Sequence, residues 1–541
     1  MRSVYTREDP PARRRRTFGD QLDRLTAPLA PRWTLKRQRA RYAGEILARH
    51  YEGAATTART SGWRRPATDA NAAIGPAAGN LRNAVRDLVR NNPYAAAALA
   101  SIVNETVGWG IAPDSPNAVA MRLWKLWGET TACDADGRHD FYGLQKLVLR
   151  TIAESGEVLV RRRFRLPGDV DTNGRPLPIP LQIQILEPDF LDTTKDQITT
   201  PNGGRIVQGI EFSPIGQRVA YWMFREHPGS ISGSFAPSQR IPAEGVLHLF
   251  RGERPGQVRA VSWFAPSLLG WKDLDDYDDA TLVKQKIAAC LAVFVRDDLD
   301  GGGAPLGEPN DQPTPAIDAL TPGMVSNLPA GRQISVVEPP RVNDFGDYMD
   351  RKLRGLAAGL RVLFSSMTGD FRDLSFSAAR MERIAHQPDI DDHRWRILIP
   401  GFCDPAWGWA MQAAAIAGAL RSTEVPGVDW TPPPAQFIDP ASEGLAILRN
   451  VRSGITTMQE ELRARGLNPS KVIAAMKAWN ALLDKAGVVL DSDPRRMTQA
   501  GQAQTVPGTP AGDAAAASAA AAAAPATDPA AAQAAGEGED T

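Results

Sequence analysis

The sequence predicts an α+β chain in which a mixed α/β region feeds a long helical hairpin. Three observations carry this. Residues 262–298 and 343–363 both show helical periodicity, and a Pro/Gly-rich insert, 299–342, separates them. Runs with the alternation of half-buried strands recur between residues 157 and 250. From about residue 498 the chain is Ala, Gly, Pro, Gln and Thr, which leaves too little apolar surface to bury a core.

The 541 residues allow several domains and an ample core. Hydrophobic residues make up 43% and charged residues 23%, an ordinary balance for a globular protein. Formal net charge is zero, so no global attraction to nucleic acid operates. Three separated cysteines, Cys133, Cys290 and Cys403, argue against a disulfide framework. No apolar run is long enough for a transmembrane helix, and none makes a signal peptide.

Residues 1–78 form a basic, partly disordered extension, with Arg13 to Arg16 consecutive. Two readings stay open, an arm for nucleic acid or an acidic partner and a solvated extension. Residues 79–261 begin with helices. At Asn91–Asn92–Pro93 two helices meet, with Asn92 as N-cap and Pro93 at the first helical position. The second ends at Val107–Gly108. Residues 121–129 and 141–155 are amphipathic, and the spacing of Trp124 and Trp127 makes them core residues. Strands are expected at 157–164, 181–186, 206–212, 218–224 and 246–250, with a turn at Ser213–Gly216.

The first hairpin arm, 262–298, carries Leu274, Tyr277, Ala280, Thr281, Ile287, Ala288, Leu291 and Val295 in one stripe. In the insert two short strands are expected, at 324–328 and 333–337. The second arm, 343–363, is followed by a polar break, 364–376, and by helices over 377–438. Residues 439–497 read as two or three helices broken at Gly454 and Gly466, and 498–541 as a disordered tail.

Catalytic motifs are absent. There is no phosphate-binding GxxxxGK[ST], no HExxH, no CxxC and no GxSxG. The aspartates at 273–279 spread around a helix too widely to hold an ion pair. His386 and His393, seven apart, share a helix face in principle, but Pro388 interrupts that helix and a third ligand is missing. No catalytic, cofactor or metal residue is assigned. A metal-dependent DNA-processing enzyme is the alternative these residues would serve.

The order of these segments resembles the lambda family of tailed-phage portal proteins over about residues 81–487. Asn104, Val107, Gly108, Gly110 and Ile111 match that family's N-x-x-V-G-x-G-I ending, and Ser377 to Arg380 match its S-x-A-R element. Phe376 stands where the family carries a tyrosine, so no phenolic role transfers. The resemblance implies a portal fold: a mixed α/β wing, a helical-hairpin stem, a small β-containing clip at 299–342, a tunnel loop at 364–376 and a helical crown. It implies a homo-oligomeric ring of about twelve copies at one capsid vertex of the virion, assembled in the host bacterial cytoplasm. Double-stranded DNA would pass without sequence reading. Terminase, head–tail connector proteins and the major capsid or scaffold protein would be the partners, with no membrane and no cofactor. Arg351, Lys352, Arg354, Arg361 and Arg372 are the candidates for the channel. Met324, Val325, Arg332, Ile334 and Val336 are the candidates for partner docking. A non-portal scaffold or capsid protein is the second alternative.

Overall fold

The computed structural model describes residue 62, residues 67–289 except 167 and 232–235, 293–297, 332–336, 345–490 except 373, 422–423 and 435–438, and residue 495. Of 287–289, 293–297 and 332–336 only the backbone is described. Every element below lies in the unit Asp69–Thr541.

Four helices open it: α1 (Ala70–Asn91), α2 (Pro93–Val107), α3 (Ala118–Trp127) and α4 (Phe141–Ser155), with the short strand β1 (Ala112–Asp114) after α2. Helix α1 starts nine residues inside the stretch expected to be an extension. The Asp69 carboxylate accepts from the Ala72 N–H at 2.9 Å and fixes that start. The α1–α2 junction forms as expected: the Asn92 side chain accepts from Ala95 N, and Gly108, at φ 51°, ends α2.

Strands β2 (Glu157–Phe164), β3 (Leu181–Leu186) and β8 (Val246–Phe250) form an antiparallel sheet in the order β3–β2–β8. A second antiparallel sheet runs β4 (Arg205–Val207), β5 (Ile210–Phe212), β6 (Arg218–Met223), β7 (Gln239–Pro242). The run 206–212, expected as one strand, is a tight hairpin, β4–β5. Gln208 and Gly209 both sit at positive φ, 49° and 82°, the geometry a two-residue turn requires. Strand β7 was not expected, since its Pro242 weakens the pattern; it lies at the sheet edge, where proline is tolerated. Val158 and Val160 of β2 join the main core, while Leu159 points the other way into a smaller cluster with Ile210, Tyr221 and Met223. Burial on both faces explains the unbroken apolar run there.

The hairpin consists of α5 (Leu268–Ala289) and α6 (Phe345–Leu360). Its register is antiparallel: a Cβ on Gly270 would lie 2.9 Å from Leu356 Cδ2, Lys352 Nζ lies 3.5 Å from Asp273 Oδ2, and Tyr277 stacks on Phe345 and packs at a tilt against Tyr348. Glycine at 270 is what lets the arms approach. Trp271, Leu274 and Thr281 are buried, as is the α6 stripe Leu353, Leu356, Ala357 and Leu360. Ala280, placed in the stripe by periodicity, is exposed.

The first helix ends at Ala289, short of the expected boundary at 298. Beyond it, β9 (Val293–Asp297) pairs antiparallel with β10 (Arg332–Val336). The VFV run in β9 favours a strand through its β-branched and aromatic side chains. Strand β10 matches the expectation for 333–337 within a residue, and the expected strand 324–328 lies outside the described residues. So do Met324 and Val325.

After α6 come the single turn α7 (Phe364–Thr368) and α8 (Phe376–Asp392), which Ser375 caps. Pro388 does not interrupt α8. Pro388 and Ile384 are both exposed, so the carbonyl left without a donor lies on the solvent side of the helix. Helix α8 continues into a π-helix, His393–Cys403, and then α9 (Asp404–Ile416). Strand β11 (Asp429–Thr431) returns to pair with β1. Three further helices, α10 (Pro440–Ser453), α11 (Met458–Ala464) and α12 (Pro469–Ala486), end the described chain; Gly454 and Gly466 break it as expected. Among the described residues no helix is long and apolar enough to cross a membrane.

His393 is buried and stacks on Trp263, with centroids 4.6 Å apart. Burial, with Arg251 nearby, pushes its pKa down to about 4. The unfolded imidazole titrates near its ordinary 6.5, so the unfolded state takes the proton first as pH falls. This contribution to stability is complete above pH 6.5 and is lost progressively toward pH 4. Substituting His393→Phe keeps an aromatic ring on Trp263. Urea midpoints at pH 7 and pH 5 should then fall less for the variant than for the parent protein.

Candidate nucleic-acid interface

The five basic residues proposed for a channel all lie on α6 or just after it, but the structure divides them. Four lie around the flanks that the apolar stripe leaves outside the core, and the fifth in the loop beyond α7. Lys352 falls on the flank toward α5 and is held by Asp273. Arg351 lies opposite the stripe and is exposed. On the other flank, the Arg354 guanidinium sits 4.2 Å above the centre of the Phe364 ring. Arg361 lies past the last turn at φ 55°, where glycine is usual. The Val362 N–H donates to Ala357 O there, closing the helix end, and Arg361 Nη1 donates to Asp389 Oδ1 at 2.9 Å.

The expected break at 364–376 is more ordered than its composition suggested. Helix α7 fills its first half, Gly369 stops it at φ 70°, and Asp370 organises the rest. The Asp370 carboxylate accepts from the Arg372 backbone N–H at 3.1 Å, from Arg372 Nε at 2.9 Å and from Nη2 at 2.6 Å. Those bonds hold the Asp370 carboxyl well below the usual carboxylate range, at about 2. The Arg372 side chain is nonetheless 85% exposed at the tip. Phe371 beside it is also exposed. Beneath the tip is a cleft of about 700 Å³ lined by Asp350, Leu353, Phe364, Phe371 and Tyr94. Arg354, Asp370 and Arg372 therefore form one cluster, while Lys352 and Arg361 are tied elsewhere. Tyr94, from the start of α2, was missed; no local pattern links it to a loop so far along the chain.

A buried ion network lies where the sheets lead into the hairpin. Glu157, at the start of β2, is fully buried. Arg259 donates to it through Nε at 2.8 Å and through Nη2, His248 lies at 2.9 Å and Arg82 at 3.5 Å. Burial raises the Glu157 carboxyl, but Arg259 and His248 overcome that, so it stays ionised far below its ordinary range. Arg82 also reaches Asp189 at 2.9 Å, and Arg86 reaches Asp189 at 2.7 Å. The network thus ties α1, strands β2 and β8, the turn at Pro188–Phe190 and the segment that enters α5.

The structure does not assemble the metal or nuclease alternatives. His386 donates or accepts at Glu105, 2.8 Å away, while His393 faces Trp263. Both lie toward the end of α2, His386 at Glu105 and His393 at Thr106, but no third ligand joins them among the described residues. The aspartates of α5 disperse: Asp273 to Lys352, Asp275 to Asn92, Asp276 to Lys272. Among the described residues, Glu187, Asp189 and His227 bring ligand atoms within 4.8 Å of each other, a grouping the sequence did not signal. Arg82 and Arg86 already neutralise those carboxylates, which leaves no unmet negative charge for a cation.

The docking candidates Arg332, Ile334 and Val336 lie in β10, opposite Asp297, Val295 and Val293.

Comparison with known proteins gives a consistent result. A family model described as phage portal protein, lambda family, matches residues 56–394. The probable portal protein of Halomonas phage phiHAP-1 is 25% identical over 379 residues, which cover 67% of this chain and 70% of that protein. Portal protein B of Escherichia phage lambda is 23% identical over 379 residues, covering 62% of this chain and 69% of that one. Among solved structures, a chain of the neck of a native GTA particle, computed with C12 symmetry, is 14% identical with a TM-score of 0.43. It covers 76% of this chain and 98% of that one.

Proposed function

The chain belongs to the lambda family of phage portal proteins, and from that premise we propose that it forms a closed ring of about twelve copies at one capsid vertex. The role is structural, a conduit through which double-stranded DNA enters and leaves, with no bond chemistry. The observation that carries the reading is the order of elements within the matched region: sheets, an antiparallel α5–α6 hairpin interrupted by an insert, and an ordered loop directly after it. The insert docks terminase during packaging and head–tail connector proteins afterwards, with Met324, Val325, Arg332, Ile334 and Val336 as its contact residues. The major capsid or scaffold protein surrounds the ring.

In this ring the loop at 364–376 faces the bore. Arg372 stands at its tip, with Arg354 behind it, Arg351 exposed on α6 and Arg361 just past its last turn beside Asp389. Arg372 and Asp370 make an exposed pair, and exposed pairs are weak. A passing phosphate can therefore compete with that carboxylate for the exposed guanidinium. Such contacts read no bases, as a conduit for any sequence requires.

The test is Arg372→Ala. Rings should form as in the parent protein, while packaged DNA is shorter or is retained less well. Loss of ring formation would instead make Arg372 a tie within the loop or between subunits.

A further inference from the structure

Helices α10, α11 and α12 form a module without a core. Of their described residues only Pro469 and Leu483 are buried. On α12, Ile473, Met476, Trp479 and Leu482 are 53–59% exposed; on α10, Leu445 and Leu448 are 51% and 37% exposed. Steps of three residues sweep the α12 side chains around nearly half of the helix. Lys471, Lys477 and Lys485 fall on the opposite side. A band that wide belongs to a buried helix face, and its lack of charge does not suit nucleic acid. Ile455, Met458 and Leu467 are exposed as well, so nine large apolar side chains between residues 445 and 482 meet solvent in the single subunit. A monomer rarely exposes a contiguous apolar patch of more than a few hundred Å².

The chain's own tail is a poor cover. From residue 498 onward its single large aliphatic residue is Val506, and it has no aromatic. A second copy has what is missing. In a ring the contacts are head-to-tail, so two dissimilar faces of one chain meet at every interface. The module carries two such faces on different helices.

We propose that α12 of one copy packs its Ile473–Met476–Trp479–Leu482 band against Leu445 and Leu448 of α10 in the next copy, so that the module's core is completed between subunits. Trp479 is the central anchor, as large aromatics are at interfaces. This rests on the ring reading above and adds the surface that closes the ring beyond residue 394.

The test uses the full-length protein. Hydrogen exchange across 440–486 should be at least tenfold slower in rings than in dilute monomer. Trp479→Glu changes a side chain already exposed in the subunit. It should leave the far-UV spectrum unchanged and raise the half-assembly concentration at least tenfold. Leu445→Glu, on the other face, should do the same, and the double variant should add little because both remove one contact. Rings whose 440–486 amides exchange as fast as in monomer would overturn the inference and leave the ring reading standing. So would variants that assemble like the parent protein. Protection present in monomers and lost on truncation after Met497 would give the band to the tail, again overturning it. Absence of rings from the parent protein would remove the ring reading itself.

Discussion

Replacing Glu157 with alanine should lower the free energy of unfolding by about 3–5 kcal/mol, the usual result of removing one partner from a buried ion pair. The carboxylate is fully buried and is the hub for Arg259, His248 and Arg82. Without it the Arg259 side chain, 2% exposed, is left charged and unmatched, with only a long bond to Gln208 O at 3.4 Å. Arg82 keeps Asp189 and suffers less. The Ala260 N–H also loses its acceptor. Because residues 259–260 lead directly into α5, the damage falls where the sheets hand over to the hairpin. The conservative Glu157→Gln should recover part of the loss by retaining the shape and one acceptor. Urea unfolding of both variants checks this, and an alanine variant as stable as the parent would show that the network is bystander charge.

Trp124→Ala should cost about 3–5 kcal/mol, the range for emptying a large aromatic site in a packed core. Trp124 is fully buried and touches Phe141 at 4.7 Å, Trp407 at 5.2 Å, Trp127 at 5.4 Å and Trp430 at 6.1 Å between ring centres. Those partners come from α4, α9, β11 and its own helix. Their indole N–H groups are fixed elsewhere, Trp127 to Leu181 O, Trp407 to Pro426 O and Trp430 to Asp404, so they cannot rotate freely into the gap. The cavity therefore persists. Since α9 and β11 follow the hairpin in sequence while α3 and α4 precede it, this one side chain clamps the two halves of the domain. Chemical denaturation of the variant, with tryptophan fluorescence as readout, measures the loss; a change below about 1 kcal/mol would mean the core collapses around the site.

Local signals were legible. The Asn92–Pro93 junction, the Trp124–Trp127 face, the turn at Ser213–Gly216 and the glycine breaks of α10–α12 each rest on neighbours within a few residues. What failed did so for physical reasons. The helix-like stripe reaching Val295 contained a β-branched run that pairs with residues nearly forty positions away. A two-residue hairpin hid inside 206–212 because glutamine, an unusual choice, takes the left-handed turn position at 208. Pro388 is absorbed because its side faces water. Least legible were the buried charges. Arg394 donates to the Glu105 and Thr106 carbonyls at the end of α2, and Glu157 meets Arg259, with partners 288–289 and 102 positions apart. Periodicity cannot signal such pairs. At the candidate site the sequence named the cations but could not show that Lys352 pairs with Asp273 and Arg361 with Asp389, partners 79 and 28 positions away.

The central claim is that the chain closes into a ring. Mass photometry of the purified full-length protein across a range of salt concentrations tests it most directly. Closed particles near twelve times the subunit mass are the predicted result, and monomers alone at every salt concentration would contradict it.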